Sequence, residues 1–344
     1  MLLNGDHVPR FSVSEAERLA RELYGVGGEA RKLSSDRDQN FHLEDASGSG
    51  FVLKIASAAE RREMLDAQNR AMEHVGNRGS DVLCPRVRTT LSGEQIATAR
   101  DHDGGEHFVR LVTWIPGVTL ADAKLHSSKL LKSLGGFLGR LDHAFEGFAH
   151  PAAQRAFYWD LGQAPDTIVK CIDHVGSVEQ RRIVEEFSAR FQQHVVPQLP
   201  HLRTSIIHND ANDHNVLVSE DASSVIGIID FGDMVKTCTV FNLAVGAAYV
   251  ILDKPDPIEA AAHVVGGYHD AFPLDDVAIS LLYDLISMRL CLSVSISAYQ
   301  HKQHPENEYL TISERSAWEM LNSLAQVDPA RAHNTFTDAC KTQR

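Results

Sequence analysis

The sequence predicts an α+β fold in two parts: an antiparallel sheet with one helix in the first third, then a remainder that is mainly helical. Two observations predict it. Short apolar runs closed by glycine-rich turns crowd the chain before Pro116, and after Thr119 apolar residues recur at three- and four-residue steps. A third observation stands apart. Within the helical part, residues 206–232 read IIHNDANDHNVLVSEDASSVIGIIDFG, short strands again, wrapped around Asp, Asn and His. The parts are taken as residues 1–116 and 117–344.

The 344 residues are 43% hydrophobic and 23% charged, an ordinary globular composition. A formal net charge of −13 disfavours nucleic acid as a partner and suits a cationic or amino-bearing one. Cys84, Cys171, Cys238, Cys291 and Cys340 are odd in number and lack CxxC spacing, so they read as buried or incidental thiols rather than a disulfide or zinc framework. MLLNGDHVPRF has no apolar core behind a basic start, and the reading finds no run of about 18 apolar residues. A cytoplasmic protein without a membrane partner is expected.

Ser14-Glu15-Ala16-Glu17 reads as a capping box for a helix carrying Leu19, Ala20, Leu23 and Tyr24 and stopped by Gly25. A polar loop around Ser34 and Ser35 precedes strands near 40–43 and 51–55, joined through Gly48-Ser49-Gly50. Lys54 is a charge inside FVLKI, and a buried lysine needs an anionic partner. In a helix over about 59–75, Gln68 falls on the apolar face with Leu65, Met72 and Val75 and so points inward. Strands follow near 95–98 and 108–113, the latter broken by Trp114-Ile115-Pro116-Gly117.

In the second part, Leu130, Leu131, Leu134, Phe137, Leu138 and Leu141 form an apolar stripe with glycines at 135, 136 and 139, a core helix closely packed on a neighbour. Further helices are expected over 179–195, 240–252, 258–272, 277–300 and 313–324. The polar tail from Asp328 is expected to be poorly ordered.

The central stretch carries the chemistry. Asn215–Val218 and Val225–Ile229 flank a polar turn, and symmetric closure sets Val218 opposite Val225 and Asn215 opposite Ile228, with Asn215 and Asp230 as diagonal neighbours on one face. An amide oxygen and a carboxylate suit Mg²⁺, which takes few protein ligands and completes its shell with water and phosphates. A nucleotide is therefore implied. Asp210, five residues before Asn215, can accept a proton from a hydroxyl held nearby, and base, amide and carboxylate are what phosphoryl transfer requires. A metallohydrolase would want more His or carboxylate ligands grouped together.

His208-x-Asp210-x4-Asn215 followed by Asp230-Phe231-Gly232 resembles the protein-kinase-like fold of aminoglycoside phosphotransferases and small-molecule kinases such as choline and homoserine kinases. HNDANDHNVLV with IGIIDFGDMV and FNLAVGAAYVIL is similar to the hydroxylysine kinase branch, and to the kinase-like domain of some class III aminotransferase-related proteins. The resemblance implies two lobes, a nucleotide-covering N-lobe over 1–116 and a C-lobe over 117–344. It makes Asp210 the base, with His208 beside it in the catalytic loop bracing that loop through its ring nitrogens, and gives Mg²⁺ to Asn215 and Asp230.

By the same resemblance Lys54 meets the phosphates, Ser34, Ser35 and nearby amides replace a glycine loop, and Gln68 orients Lys54 in place of a usual Glu, with Glu63 or Asp66 as alternatives. Thr113 and Ile115 would meet the purine. Arg289 with one of Asp233, Asp253 or Asp284 would recognise the carboxylate and ammonium of the acceptor. Asn242 stands where relatives often carry Asp. No long regulated loop follows Gly232, so the acceptor is small. The implied activity is transfer of the γ-phosphate of ATP or GTP to the hydroxyl of a small amine or amino acid, hydroxylysine-like. A choline, homoserine or aminoglycoside kinase and a non-catalytic nucleotide-binding module stay open as alternatives, as does work beside an aminotransferase-like partner.

Overall fold

The structure is a computed structural model describing residues 8–35, 37–78, 81–123, 125–303 and 314–341. The chain forms two compact units, Met1–Pro116 and Gly117–Arg344.

The first unit opens with helix α1, Val13–Tyr24. Its capping box is Ser12 with Glu15, two residues earlier than the expected pair. Ser14 instead shares a hydroxyl contact with Ser12, and Glu17 turns away to accept the Ala30 N–H at 2.9 Å. Gly25 ends the helix in the left-handed region at φ 67°, where a side chain would be strained.

Six strands follow, β1 (Ala30–Leu33), β2 (Gln39–Glu44), β3 (Gly50–Ile55), β4 (Val87–Arg88), β5 (Ala97–Arg100) and β6 (Glu106–Thr113), with helix α2 (Arg62–Arg78) between β3 and β4. They pair antiparallel in the order β1-β2-β3-β6-β4, and β5 also lies along β6. Phe41, Leu43, Phe51, Leu53, Ile55, Val109 and Leu111 meet Leu19, Ala20 and Tyr24 of α1 to form the core of this unit. Period-2 alternation then puts Lys54 on the opposite face, and the register sets it directly across from Arg110.

The second unit contains β7 (Val118–Thr119), α3 (Ser128–Phe145), α4 (Ala164–Cys171), α5 (Val178–His194), β8 (Thr204–Ile207), β9 (Val216–Val218), β10 (Val225–Ile228) and β11 (Val235–Cys238). Five helices complete it: α6 (Val240–Val250), α7 (Pro257–Ala271), α8 (Asp276–Gln303), α9 (Glu314–Leu324) and α10 (Pro329–Lys341). Strands pair as β10-β9-β7 and as β11-β8.

Two expectations are corrected here. The tail from Asp328 is not loose: it forms α10, because Ala332 and Phe336 give it an apolar stripe that is fully buried. And α8 does contain an 18-residue stretch apolar enough by composition to cross a membrane, 83% of it buried within this fold as a core helix. Interspersed serines, with Asp284 and Arg289, hid that run from a plain count of apolar residues.

Helices α3 and α7 touch backbone to backbone. A Cβ at Gly135 would stand 1.8 Å from the Val264 carbonyl oxygen, and one at Gly267 2.0 Å from that of Lys132. Gly135→Ala is therefore expected to cost about 1–3 kcal/mol through overpacking. Thermal unfolding should register it as a fall of roughly 2–4 °C per kcal/mol; an unchanged midpoint would show that the helices separate freely.

Candidate active site

The catalytic loop is built from the exits of two strands. After β8 the chain turns at Asn209, held at φ 66° in the left-handed region, and after β10 it turns at Asp230, at φ 63°. His208, fully buried, ties the two turns together: its Nε2–H donates to the Ile229 carbonyl at 3.0 Å, and its Nδ1 accepts the Asp210 N–H at 3.3 Å. Those roles fix the neutral Nε2–H tautomer, since a backbone carbonyl only accepts and an amide only donates. Phe231 packs edge-on against the same ring, centroids 4.9 Å apart. His208 is thus a brace.

The hairpin register departs from symmetric closure. Val218 faces Val225, but an irregularity at Ile226 brings Gly227 opposite Leu217 and Ile228 opposite Val216, so the Ile229 N–H reaches the Asn215 carbonyl at 2.9 Å. Asn215 stands one residue further along β10 than symmetric pairing gives.

Asp210 is gripped on both oxygens. Asn212 donates to Oδ1 at 2.9 Å and Asn215 donates to Oδ2 at 2.6 Å, while Arg289 Nη2 approaches Oδ1 at 3.4 Å. The Asn215 NH₂ also donates to the Asp210 backbone carbonyl at 3.0 Å, an atom that can only accept, so its nitrogen must face Asp210 and its Oδ1 is turned away from it. Asn212 also makes the turn, its own Oδ1 accepting the N–H groups of His214 and Asn215 at 2.9 and 3.1 Å. Burial raises the Asp210 carboxyl to about 8, and the neighbouring carboxylates of Asp233 and Asp230 push the same way, opposed by Arg289 and the Asn212 bond. Three acids sharing one locality are an electrostatic conflict that a divalent cation relieves.

The donor set fits such a cation: one amide oxygen, Asn215, and one carboxylate, Asp230, which also accepts the Gly232 N–H at 3.2 Å. Among the described residues no group of three or more His, Cys, Asp or Glu side chains is arranged to hold a metal alone. A hard ion held by this pair would take its remaining ligands from phosphates and water.

Arg289 is 1% exposed, on α8, with its guanidinium 4.6 Å from the Trp159 ring and 5.6 Å from Tyr249, and Nη1 donating to the Trp159 carbonyl at 3.1 Å. Of the residues expected to meet the acceptor, Arg289 therefore stands directly against Asp210. Asp233, buried, belongs to the Asp210 cluster. Asp253 and Asp284 do not: Asp253 is exposed and accepts from Ser316, and Asp284 joins α8 to α5 through Arg190 and His194 at 3.0 and 3.2 Å. A lone acid on an apolar helix looks the same in sequence whether its partner is a ligand or a neighbouring helix.

In the first unit, Gln68 is turned inward, but its Oε1 accepts from Arg110 Nη2 at 2.7 Å, and Asn69 Oδ1 takes Nη1 at 2.8 Å. Arg110, which engages Gln68, is the residue directly across the ladder from Lys54. Ser34 and Ser35 lie in the link between β1 and β2, Ser34 exposed and Ser35 half-buried. Thr113 clamps β4 through Arg86, both its N–H and its Oγ1 being used, and Trp114 donates to the Gly50 carbonyl. Of the two residues expected to meet the purine, Ile115 lies beyond this pairing. Sequence reasoning missed Arg110 and Trp159; Asn212 reads from sequence as a turn residue, which it is, and its bond to Asp210 is what the structure adds.

An acid gripped by amides thus stands beside an amide and carboxylate pair. The chain belongs to the phosphotransferase enzyme family APH, whose family model matches residues 29–277, and it is a small-molecule kinase that uses a nucleotide as phosphate donor. It is 32% identical over 332 residues to the hydroxylysine kinase of Danio rerio, covering 92% of each chain. To that of Mus musculus it is 28% identical over 359 residues, covering 97% of this chain and 94% of the relative. Among solved structures it is similar to a microcompartment-associated aminopropanol kinase, with TM-score 0.73, 16% identity and coverage of 96% and 99%. Amicoumacin kinase hAmiN, in complex with AMP-PNP, Ca²⁺ and Ami, gives TM-score 0.69 at 16% identity, with coverage of 93% and 97%.

Arg289→Met removes the cation that holds Asp210 down, so the Asp210 pKa rises. A base must be deprotonated to act, and the acidic limb of the pH dependence of kcat/KM is expected to move to higher pH. Rate profiles of the two proteins check this, and an unmoved limb would detach Arg289 from the base.

Proposed function

We propose that the protein transfers the γ-phosphate of a Mg-bound nucleotide to the hydroxyl of a small hydroxylated amino acid of the hydroxylysine type. The observation that carries the reading is the grip on Asp210, a carboxylate aimed by Asn212, Asn215 and Arg289 in the loop that also presents Asn215. Asp210 orients the acceptor hydroxyl and takes its proton. Asn215 and Asp230 hold Mg²⁺, which when bound neutralises phosphate charge. Lys54 is assigned to the phosphates and Thr113 with Ile115 to the purine.

The acceptor class rests on the relatives and on local charge. Hydroxylysine kinases are similar along more than nine-tenths of this chain, and the acidic Asp233 beside the base suits an ammonium group. A quaternary ammonium such as choline would want open aromatic faces. Trp159 and Tyr249 are already covered by the Arg289 guanidinium, which weighs against that rival.

Labelled ATP and GTP with Mg²⁺ and a panel of hydroxylysine, ethanolamine, choline, homoserine and an aminoglycoside test the proposal. Transfer to hydroxylysine is expected. Asp210→Ala should lose roughly 10²–10⁴-fold in kcat with nucleotide still bound, whereas Asp230→Ala should weaken Mg-nucleotide binding itself. Transfer to choline alone would overturn the acceptor class, and equal unfolding of both variants would mark the two acids as structural.

A further inference from the structure

We propose that Asp142, Asn242 and Tyr268 are positioning residues, a buried strut that sets the backbone of the catalytic loop at Asn209 and through it the aim of Asp210. The role of Asp210 itself rests on the function proposed above. None of the three carries out the transfer.

The bonds define one continuous path. Asn242, fully buried on α6, accepts the Asn209 N–H on its Oδ1 at 3.2 Å and donates from Nδ2 to Asp142 Oδ1 at 2.7 Å. Tyr268 on α7 donates its hydroxyl to Asp142 Oδ2, also at 2.7 Å. Donor and acceptor roles follow from the chemistry: a backbone N–H cannot accept and a carboxylate cannot donate, so the Asn242 amide has one orientation. Asp142 and Tyr268 are buried, at 0% and 1% exposure. Such a network is costly unless every member is paired, and its members therefore hold one another in one geometry.

What the strut touches outside the helices is the loop. Asn209 is a non-glycine residue at φ 66°, a conformation needing support from its surroundings. Its N–H points to Asn242, and the next N–H, that of Asp210, points to His208 Nδ1. Two consecutive amides at the base are thus anchored from two directions, one through the strand exits and one through α3, α6 and α7. The His208 bonds fix where the loop sits. The Asn242 bond fixes the turn from which the Asp210 carboxylate emerges.

The test exchanges the acid and the amide. Asn242→Asp places two carboxyls in contact and removes the donor to Asp142. Combining it with Asp142→Asn restores every pairing with roles reversed: the amide at 142 donates to the acid at 242 and still accepts from Tyr268, and the acid still accepts the Asn209 N–H. The single variant should lose kcat by roughly ten- to a hundredfold, as small misplacements do, with nucleotide KM within about twofold. The double variant should recover most of it.

Amide hydrogen exchange at Asn209 and Asp210 is read on the same proteins without any acceptor. It should quicken in the single variant and return in the double. Failure of wild-type protein to phosphorylate anything would refute the kinase reading while leaving exchange to judge the strut. Unchanged exchange, or a kcat per folded molecule that survives Asn242→Asp with a lower Tm alone, would overturn the proposal.

Discussion

The structure of the site depends on one imidazole. His208 leaves β8 and is bonded to the carbonyl of Ile229 at the end of β10, two segments 21 residues apart in sequence. With Nε2 committed as donor, Nδ1 is left as acceptor for the Asp210 N–H, so a single neutral ring locks two turns that each carry an acid of the candidate site. A protonated ring would lose the second bond. Full burial, with Phe231 against its edge, keeps that ring away from water. A brace built this way does no chemistry and permits the chemistry of its neighbours.

Those neighbours are in conflict by design. Asp210, Asp230 and Asp233 repel, and burial of Asp210 makes the repulsion stronger than it would be in water. A sequence optimised for stability alone would not gather them. Arg289 offsets part of the cost, and its flat cation is itself accommodated between Trp159 and Tyr249, with a backbone carbonyl taking one N–H. Local rules broken in one place and compensated from three others are the signature of a site kept for function.

What the sequence made legible follows from how local each feature is. The β2–β3 hairpin, the central hairpin, the apolar helices and the spacing of His208, Asp210, Asn215 and Asp230 depend on neighbours in the chain, and all are visible there. The capping box was misplaced by two residues because Ser12, Ser14, Glu15 and Glu17 offer two equally good patterns, and Glu17 is drawn off by a backbone amide thirteen residues on. Strand β1 was missed because Ala-Arg-Lys-Leu has no apolar face; it pairs at an edge. Helix α10 was missed because two buried residues, Ala332 and Phe336, are too few to give a clear period. Polar partners resisted most. Gln68 with Arg110 is 42 residues apart in sequence, Arg190 with Asp284 is 94, and Asn242 with Asp142 is 100, and no local pattern reports which of several buried polar groups will meet.

The glycine contact between α3 and α7 connects the fold to the site. A Cβ at Gly135 would lie 2.7 Å from the backbone nitrogen of Tyr268, and one at Gly139 2.9 Å from its carbonyl oxygen, so the helices meet closely at the residue whose hydroxyl reaches Asp142. Asp142 is one turn along α3 from Gly139, on the same face by the three- to four-residue period. Removing side chains at 135 and 139 therefore sets the interhelical distance at which the phenol can span to the carboxylate. That bond positions the acid, the acid orients the Asn242 amide, and the amide meets the loop. Close packing between α3 and α7 is in this way transmitted to the turn at Asn209, because each link is a hydrogen bond between buried groups that hold one another in one geometry.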